Sequence, residues 1–173
     1  MAAHCHARVP HLNVLAIETS TDQLSLALAY SGSVRTLDEV IGNRHAELVL
    51  PTIERLLEES GASVRALEAV VFGAGPGAFT GLRIACGVAQ GLALACDLPV
   101  LGVGSLEALA EGSGADRVIA CIDARMGEIY HATYRRGAEG WEALNAPELV
   151  HPAWRYCRIS PGSAITMSRI RMN

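Results

Sequence analysis

The fold is decided by two apolar runs near the start of the chain, which lie in the stretch VLAIETSTDQLSLALAY at residues 14–30. The runs extend from Asn13 to Thr19 and from Leu24 to Tyr30, and a turn-rich segment of small polar residues separates them. Ser31-Gly32-Ser33 then leads into a third run, from Val34 to Val40. Short apolar runs joined by turn residues are typical of β-hairpins. The sequence therefore predicts a three-stranded antiparallel meander.

After this meander the apolar residues recur with the period of a helix. Between Arg44 and Ser60 they fall on one stripe, made of Ala46, Leu50, Ile53 and Leu57, with Val49 and Leu56 beside it. This spacing predicts an amphipathic helix that ends at Gly61. Because Pro51 removes one backbone hydrogen bond inside the helix, we expect a kink or a start later than Arg44.

Strands and helices alternate in the next part of the chain. The sequence predicts, in order, a buried strand at Glu68–Phe72, a glycine-rich loop at Gly73–Gly81, a helix at Leu82–Cys96, a strand at Pro99–Val103 and a short helix that Ser105 caps and that ends near Gly112. A meander followed by this alternation predicts an α/β fold, in which helices pack on a mixed sheet.

The strand pattern restarts in the second half of the chain. The run Val118–Asp123, followed by Gly127–Tyr134, echoes the first two runs, and an acidic residue closes the first strand in both copies. Such a repeat indicates two lobes of one ancestral design, and chance similarity is the alternative. We expect a flexible N-terminal extension at residues 1–12, a first lobe at 13–112, the start of a second lobe at 113–150 and an atypical basic tail at 151–173.

Charge and composition limit the functions open to the chain. It has 173 residues with 14 basic and 18 acidic side chains, and every basic residue is an arginine. The absence of lysine excludes a Walker-type phosphate lysine and a Schiff-base lysine. Residues 1–148 carry a formal charge of −8 and the remainder +4, whereas proteins that bind nucleic acid alone need a basic surface. We therefore expect any contact with RNA to be indirect.

Cysteine usage and hydropathy indicate the compartment. The five cysteines include no C-x-x-C pair, as is common in a reduced cytoplasmic protein. The apolar stretch from Ile84 to Cys96 is interrupted by Gln90 and is too short to cross the roughly 30 Å of a bilayer core. His4-Cys5-His6 is interpreted as a frayed terminus and not as a metal site. The sequence predicts a cytoplasmic protein with no bound metal and no membrane contact.

Two motifs carry the polar groups that could contact a ligand. The loop Gly73–Ala78 matches G-x-G-x-x-A and precedes a helix. The match has three interpretations: a dinucleotide-binding fingerprint, a tight turn followed by Thr80 as the helix cap, or a helix N-terminus that binds an anion. The turn Glu18–Asp22 either faces a bound phosphate group, or its serine and threonine side chains form hydrogen bonds with the backbone of the turn itself. The candidate nucleotide or anion contacts are Glu18, Thr19, Ser20, Thr21, Gly75, Gly77 and Thr80.

The predicted helix Leu82–Cys96 has two apolar faces. One face can cover the sheet, and the opposite face carries Ile84, Val88, Gly91 and Ala95 at helical spacing. A helix that is apolar all round must be buried on both sides, so the second face indicates a partner. With Leu48 of the preceding helix, these residues form a predicted partner seam: Leu48, Ile84, Val88, Gly91 and Ala95. We expect the seam to pair with a second copy when the chain is alone.

Four motifs in order resemble those of the TsaB family, also called YeaZ. They are Leu15-Ala16-Ile17-Glu18-Thr19-Ser20-Thr21, Arg44-His45-Ala46-Glu47, Gly75-Pro76-Gly77-Ala78-Phe79-Thr80-Gly81-Leu82-Arg83 and Asp123-Ala124-Arg125-Met126-Gly127-Glu128-Ile129-Tyr130. The resemblance covers about residues 13–150. It implies an actin-like ATPase fold (ASKHA, ribonuclease H-like) of two lobes, and in this chain the second lobe is expected to be incomplete.

The resemblance also implies a function. The family is required for threonylcarbamoyladenosine at position 37 of tRNAs (t6A), as a non-catalytic scaffold that pairs with the catalytic relative TsaD and recruits the small ATPase TsaE. The catalytic relative has an H-x-x-x-H metal pair where this chain has Ser105 and Leu109. The resemblance therefore implies no catalytic residues and no cofactor of its own, and it leaves open ATP or ADP at a subunit interface.

Two enzymatic functions remain as alternatives. A nucleotide-binding phosphotransferase or ATPase of the same fold needs a catalytic acid, for which Glu18 or Asp123 could serve. A peptidase similar to the M22 glycoproteases needs a nucleophile and a base, and the sequence shows no assignable pair. His45 and His131 are isolated in the sequence and are interpreted as structural or surface residues.

Overall fold

The computed structural model describes residues 12–151 and 164–167. The first sheet contains β1 (Val14–Glu18), β2 (Gln23–Tyr30), β3 (Ser33–Val40), β4 (Ala69–Gly73) and β5 (Val100–Val103), in the order β3-β2-β1-β4-β5. β1, β2 and β3 pair antiparallel, with Ile17 opposite Leu26, which confirms the predicted meander. β4 pairs parallel with β1, and β5 pairs parallel with β4.

The second sheet repeats this arrangement. It contains β6 (Arg117–Arg125), β7 (Glu128–Arg136), β8 (Trp141–Ala143), β9 (Glu148–Val150) and β10 (Ala164–Met167), in the order β10-β6-β7-β8, and β9 also pairs with β7. β6 is antiparallel to β7 and parallel to β10, as β1 is to β2 and β4. The predicted repeat of the strand pattern and the mixed α/β class are confirmed.

The predicted ends of the chain lie mostly outside the described residues. Of the extension at 1–12 the structure describes Leu12 alone, and of the tail at 151–173 it describes His151 and β10. The tail was predicted only as atypical and basic, with no strand in it, so β10 is an element that the sequence did not predict. A four-residue strand is too short to show a clear alternation, and its position depends on pairing with β6.

Two helices cover the first sheet, and a 3-10 turn (Val64–Ala66) lies between them in sequence. α1 (His45–Glu59) starts one residue later than predicted and continues through Pro51. Its buried residues are His45, Val49, Thr52, Ile53, Leu56 and Leu57. The predicted stripe is therefore wrong in its first half, where Ala46 and Leu50 are exposed. The helix carries two overlapping apolar rows, and the row through Val49 faces the sheet.

α2 (Phe79–Cys96) begins three residues earlier than predicted, and Ala78 precedes it as the N-cap residue. Leu82 N donates to Ala78 O, so Thr80 lies inside the first turn and is not the cap. By length and composition alone α2 could cross a membrane, which is weak evidence because core helices of soluble proteins pass the same test. In this fold its residues Ala85, Ala89 and Ala93 are buried, and the first two belong to the core of the first sheet.

α3 (Ser105–Gly112) packs on the second sheet. Leu106 and Ala110 share one core with Val118, Ala120, Ile122, Ala132 and Tyr134. At its end Glu111 accepts hydrogen bonds from the Trp141 indole at 2.7 Å and from Arg136 at 3.0 Å. The N-cap is Gly104, so the prediction that Ser105 caps the helix is wrong. The predicted lobe boundary at residue 112 stays a prediction. It assigns α3 to the first lobe, whereas the buried face of α3 packs on the second sheet.

The turn between β1 and β2 touches the start of α2 through backbone atoms. A Cβ added at Gly81 would overlap the carbonyl oxygen of Thr19, and one at Gly77 would overlap Ser20. Neither position can therefore hold a side chain. The obstructing atoms belong mainly to the backbone, which cannot move aside by rotation about a side-chain bond.

We expect Gly81→Ala to lower the free energy of unfolding by about 1–3 kcal/mol, because the new methyl group displaces the turn. The matched control is Gly87→Ala in the same helix, where a Cβ meets no atom within 4 Å. That change should raise stability by about 0.5–1 kcal/mol, since alanine is the better helix former. Urea denaturation of both variants measures the difference, and equal effects would contradict the packing described.

Candidate functional site

The carboxylate of Glu18 lies at the end of β1 and has a donor on each oxygen. Oε1 accepts from Ser20 N at 2.6 Å, and Oε2 accepts from the Ser105 hydroxyl at 2.8 Å. A Cβ at Gly73 would overlap this carboxylate, so the group lies directly against the backbone of β4. Glu18 is therefore placed by three separate segments of the chain.

The hydroxyl groups of Thr19 and Thr21 in the neighbouring turn, and the carbonyl of Ser20, also bond within the chain. Thr19 is fully buried, and its hydroxyl donates to Gly81 O at 2.7 Å. The carbonyl of Ser20 accepts from Ala78 N at 2.7 Å. Thr21 accepts from Gln23 N at 3.2 Å, as expected of a hydroxyl that supports its own turn.

The glycine-rich loop packs onto the same unit. Gly75 adopts a positive φ of 92°, and its carbonyl accepts from Ser105 N at 2.8 Å. Thr80 is exposed on the first turn of α2, beside Phe79, whose ring carries the Arg83 guanidinium at 3.6 Å from its centroid. The structure thus brings Glu18, Thr19, Ser20, Gly75 and Gly77 together, with Thr21 and Thr80 near them. Their hydrogen bonds run mainly to neighbouring residues of the chain: to Gly81, Ala78, Gln23 and Ser105.

Sequence reasoning missed Gly81 and Ser105 as members of this unit. Gly81 was assigned to a loop and Ser105 to a helix cap, and both assignments used local patterns only. Their partners are 62 and 87 residues away in sequence. No local spacing signals such contacts, although a glycine inside an apolar helix is a general sign of close backbone approach.

A cleft of about 370 Å³ opens on the face of the first sheet that α1 and α2 leave uncovered. Its polar lining consists of Glu18, Ser25, Thr36 and Asp38, and Ala16, Ala27, Val71, Val103 and Ala108 of α3 lie beside them. Sequence reasoning identified only Glu18 here. Ser25 alternates with the buried residues Leu24 and Leu26, so period-2 patterning could have assigned it to this face.

The other residues considered from the sequence lie apart. Asp123 is exposed and accepts from Arg125 N at 2.8 Å. His45 is buried, with Nε2 at 3.3 Å from Gln23 O, and Nε2 of His131 lies 3.9 Å from Glu148. Over residues 12–151 no group of three or more histidine, cysteine, aspartate or glutamate side chains is arranged to hold a metal ion.

One tyrosine outside the site shows an electrostatic effect of burial. Desolvation beneath α3 raises the pKa of Tyr134, and the negative charge of Glu107 raises it further. Tyr134 belongs to the core of the second sheet, where its ring meets Trp141 edge-on at 6.4 Å. This shift therefore reflects packing and does not mark a reacting group.

The predicted partner seam divides into two parts in the structure. Leu48, Ile84 and Val88 are half-buried and pack against the core of the first sheet. Gly91 and Ala95 are exposed, and space is open around Gly91. Leu94, which the sequence analysis did not select, is 88% exposed beside them. The free apolar surface of α2 is therefore shifted toward its C-terminal half.

Comparison with known proteins places this fold in a family. The model of the TsaD family, tRNA N6-adenosine threonylcarbamoyltransferase, matches residues 16–167. The TsaB protein of Escherichia coli, described as a tRNA threonylcarbamoyladenosine biosynthesis protein, is 44% identical over 150 residues, which is 81% of this chain. The TsaB protein of Haemophilus influenzae is 42% identical over 124 residues, which is 69% of this chain. The chain spans 65% and 52% of the lengths of these two relatives.

Solved structures show the same relationship. YeaZ from Pseudomonas aeruginosa superimposes with a TM-score of 0.77 at 43% identity, over 82% of this chain and 68% of that one. A second solved structure is of a protein described as similar to the peptidase YeaZ from Pseudomonas aeruginosa. It superimposes with a TM-score of 0.76 at 41% identity, over 86% of this chain and 69% of that one. Together with the four motifs and the repeated sheet order, these matches establish that the chain belongs to the TsaB/YeaZ family.

Proposed function

We propose that the chain acts in the biosynthesis of tRNA threonylcarbamoyladenosine (t6A) as a non-catalytic subunit. It would support a TsaD-type catalytic subunit and a TsaE-type ATPase. The observation that carries the proposal is the 44% identity to a TsaB protein over 81% of the chain. This identity is far above the level at which only a fold is shared.

The residues at positions 105 and 109 support a non-catalytic role. Ser105 and Leu109 stand where the catalytic relative carries its metal-binding histidines. Ser105 is 3% exposed and donates to Glu18, and Leu109 packs against the core of the second sheet. Neither side chain is a zinc or iron ligand, and both are committed to packing. In this proposal the chain has no metal or cofactor of its own, and a nucleotide would be held at most at an interface with a partner.

Charge supports an indirect relation to tRNA. The part of the chain before residue 149 has a formal charge of −8, which disfavours contact with a phosphate backbone. The catalytic partner would therefore hold the tRNA, and we place the assembly in the cytoplasm, where tRNA is modified.

The exposed half of α2 supports a partner surface. Gly91, Leu94 and Ala95 offer an apolar strip with room for close approach, next to the half-buried Ile84 and Val88. We propose that this surface, with Leu48 of α1, pairs with a second copy in the isolated protein. The related surface of the TsaD-type subunit would replace that copy, because the two subunits share one fold.

The isolated chain should release phosphate from ATP at far less than the ~1 per second at the low end of typical enzymes. It should also bind tRNA no more tightly than about 1 μM at physiological salt, since residues 1–148 carry a formal charge of −8. Phosphate release and a filter-binding titration measure both quantities. Robust turnover that is lost in Glu18→Gln would contradict the proposal and favour the phosphotransferase or ATPase alternative.

Gly91→Glu should abolish association while leaving the chain folded. A side chain at Gly91 meets no atom within 4 Å in the single chain, but a carboxylate buried between two apolar helices has no partner. We expect association to weaken more than about 100-fold, both with a second copy and with the TsaD-type subunit. Sedimentation equilibrium measures association, and circular dichroism checks the fold.

The matched control is Gly112→Glu at the end of α3, where a side chain also meets no atom. It should associate like the wild type. Val88→Glu is a less specific test, because Val88 packs against the core and a charge there would disturb the fold as well. If Gly91→Glu associates with wild-type strength, the partner surface lies elsewhere.

A further inference from the structure

Helix α3 connects the two sheets of the molecule. Its buried residues Leu106 and Ala110 belong to the core of the second sheet, and the two core clusters share no described residue. Its first residue bonds instead to the end of β1 and to the loop after β4, which both belong to the first sheet's side of the molecule. Ser105 N donates to Gly75 O, and the Ser105 hydroxyl donates to Glu18 Oε2, both at 2.8 Å. The second sheet thus holds α3 along its side, and the first sheet holds it at its start.

The acceptor in this contact is fixed on the first sheet. The Glu18 carboxylate lies against the backbone at Gly73, and its second oxygen accepts from Ser20 N at 2.6 Å. A hydrogen bond to a charged acceptor is stronger than one between neutral groups, and a carboxylate beside the first turn of a helix also interacts favourably with its dipole. Because Ser105 is 3% exposed, water cannot easily replace the bond.

We propose that the contact between Glu18 and Ser105, here called the interlobe bridge, fixes the second sheet relative to the first and sets the width of the cleft. Glu18 and Ala108, which is three residues beyond Ser105 in α3, both line that cleft. If the bridge breaks, α3 stays tethered at its start by Gly104, which joins it to β5, and by the bond from Ser105 N to Gly75 O, and it can pivot there together with the second sheet, since Leu106 and Ala110 remain in that sheet's core. Glu18 thereby acts as a positioning residue and not as a catalytic acid.

The bridge also transmits changes to the turn between β1 and β2. Glu18 holds Ser20 N, and the carbonyl of Ser20 accepts from Ala78 N at the start of α2. A change at the first residue of α3 therefore reaches residues 19–21, which are more than 80 positions away in sequence. This coupling belongs to the isolated chain and does not depend on the proposed function.

Hydrogen exchange measured by mass spectrometry on the full chain tests the proposal with Ser105→Ala. We expect the amides of the first turn of α3 and those of residues 19–21 to exchange about tenfold faster than in the wild type. Residues 19–21 are the informative ones, because the substitution changes no atom there. Amides in the core of β6 and β7 should stay within about twofold of the wild type. The matched control is Ser113→Ala at the other end of α3, whose hydroxyl donates to Ala110 O and accepts from Ala115 N, both outside the first sheet. It should affect only the end of α3 and the segment that follows it, and not residues 19–21.

Two variants of Glu18 complete the test. Glu18→Ala should reproduce the Ser105→Ala pattern, and combining both changes should add little, because either one removes the bridge. Glu18→Gln should have a smaller effect, since the amide can accept from Ser20 N and donate to the serine hydroxyl. If Glu18→Ala does not fold, Glu18→Gln and Ser105→Ala alone decide. Faster exchange confined to α3, or equal acceleration of every protected amide, would overturn the proposal.

Discussion

The structure depends on the direct backbone contact between the turn after β1 and the start of α2. Thr19 donates to Gly81 O, Ala78 N donates to Ser20 O, and glycine at 77 and 81 leaves room for both approaches. This contact fixes where α2 begins and in which direction it leaves the sheet. The small residues Ala85, Ala89 and Ala93 can then lie close to the strands, and the opposite side of the helix is left outward.

The same contact determines what the two polar motifs can do. A glycine-rich loop next to a serine and threonine turn resembles a site that surrounds phosphate groups. Here the hydroxyl of Thr19, the carbonyl of Ser20 and both oxygens of Glu18 are bonded within the chain. In the described structure the motifs therefore join segments that are distant in sequence.

The sequence could predict those features that arise from local patterns. The meander, the α/β alternation and the second copy of the first two strands follow from period and turn residues, and all three are present. The start of α2 could not be found in this way, because the N–H of its N-cap residue Ala78 bonds to the carbonyl of Ser20, about 60 residues earlier. The buried row of α1 was misassigned since two apolar rows overlap and only the sheet distinguishes them. The packing of α3 on the second sheet was not predicted, because the length and the capping residues of a helix do not show which sheet its apolar side contacts.

The outward side of α2 presents an energetic problem that the single chain does not solve. Glycine in a helix interior costs about 0.5–1 kcal/mol relative to alanine, and α2 carries two such residues, Gly87 and Gly91, around which space is open. Leu94 adds an apolar side chain that is 88% exposed. Among the residues that the structure describes nothing offsets these costs, because no atom there lies within 4 Å of a Cβ built at either glycine. The costs are offset if another helix packs there, since glycine lets two backbones approach and leucine then becomes buried. The composition of this one helix face therefore favours a molecule that is completed by association.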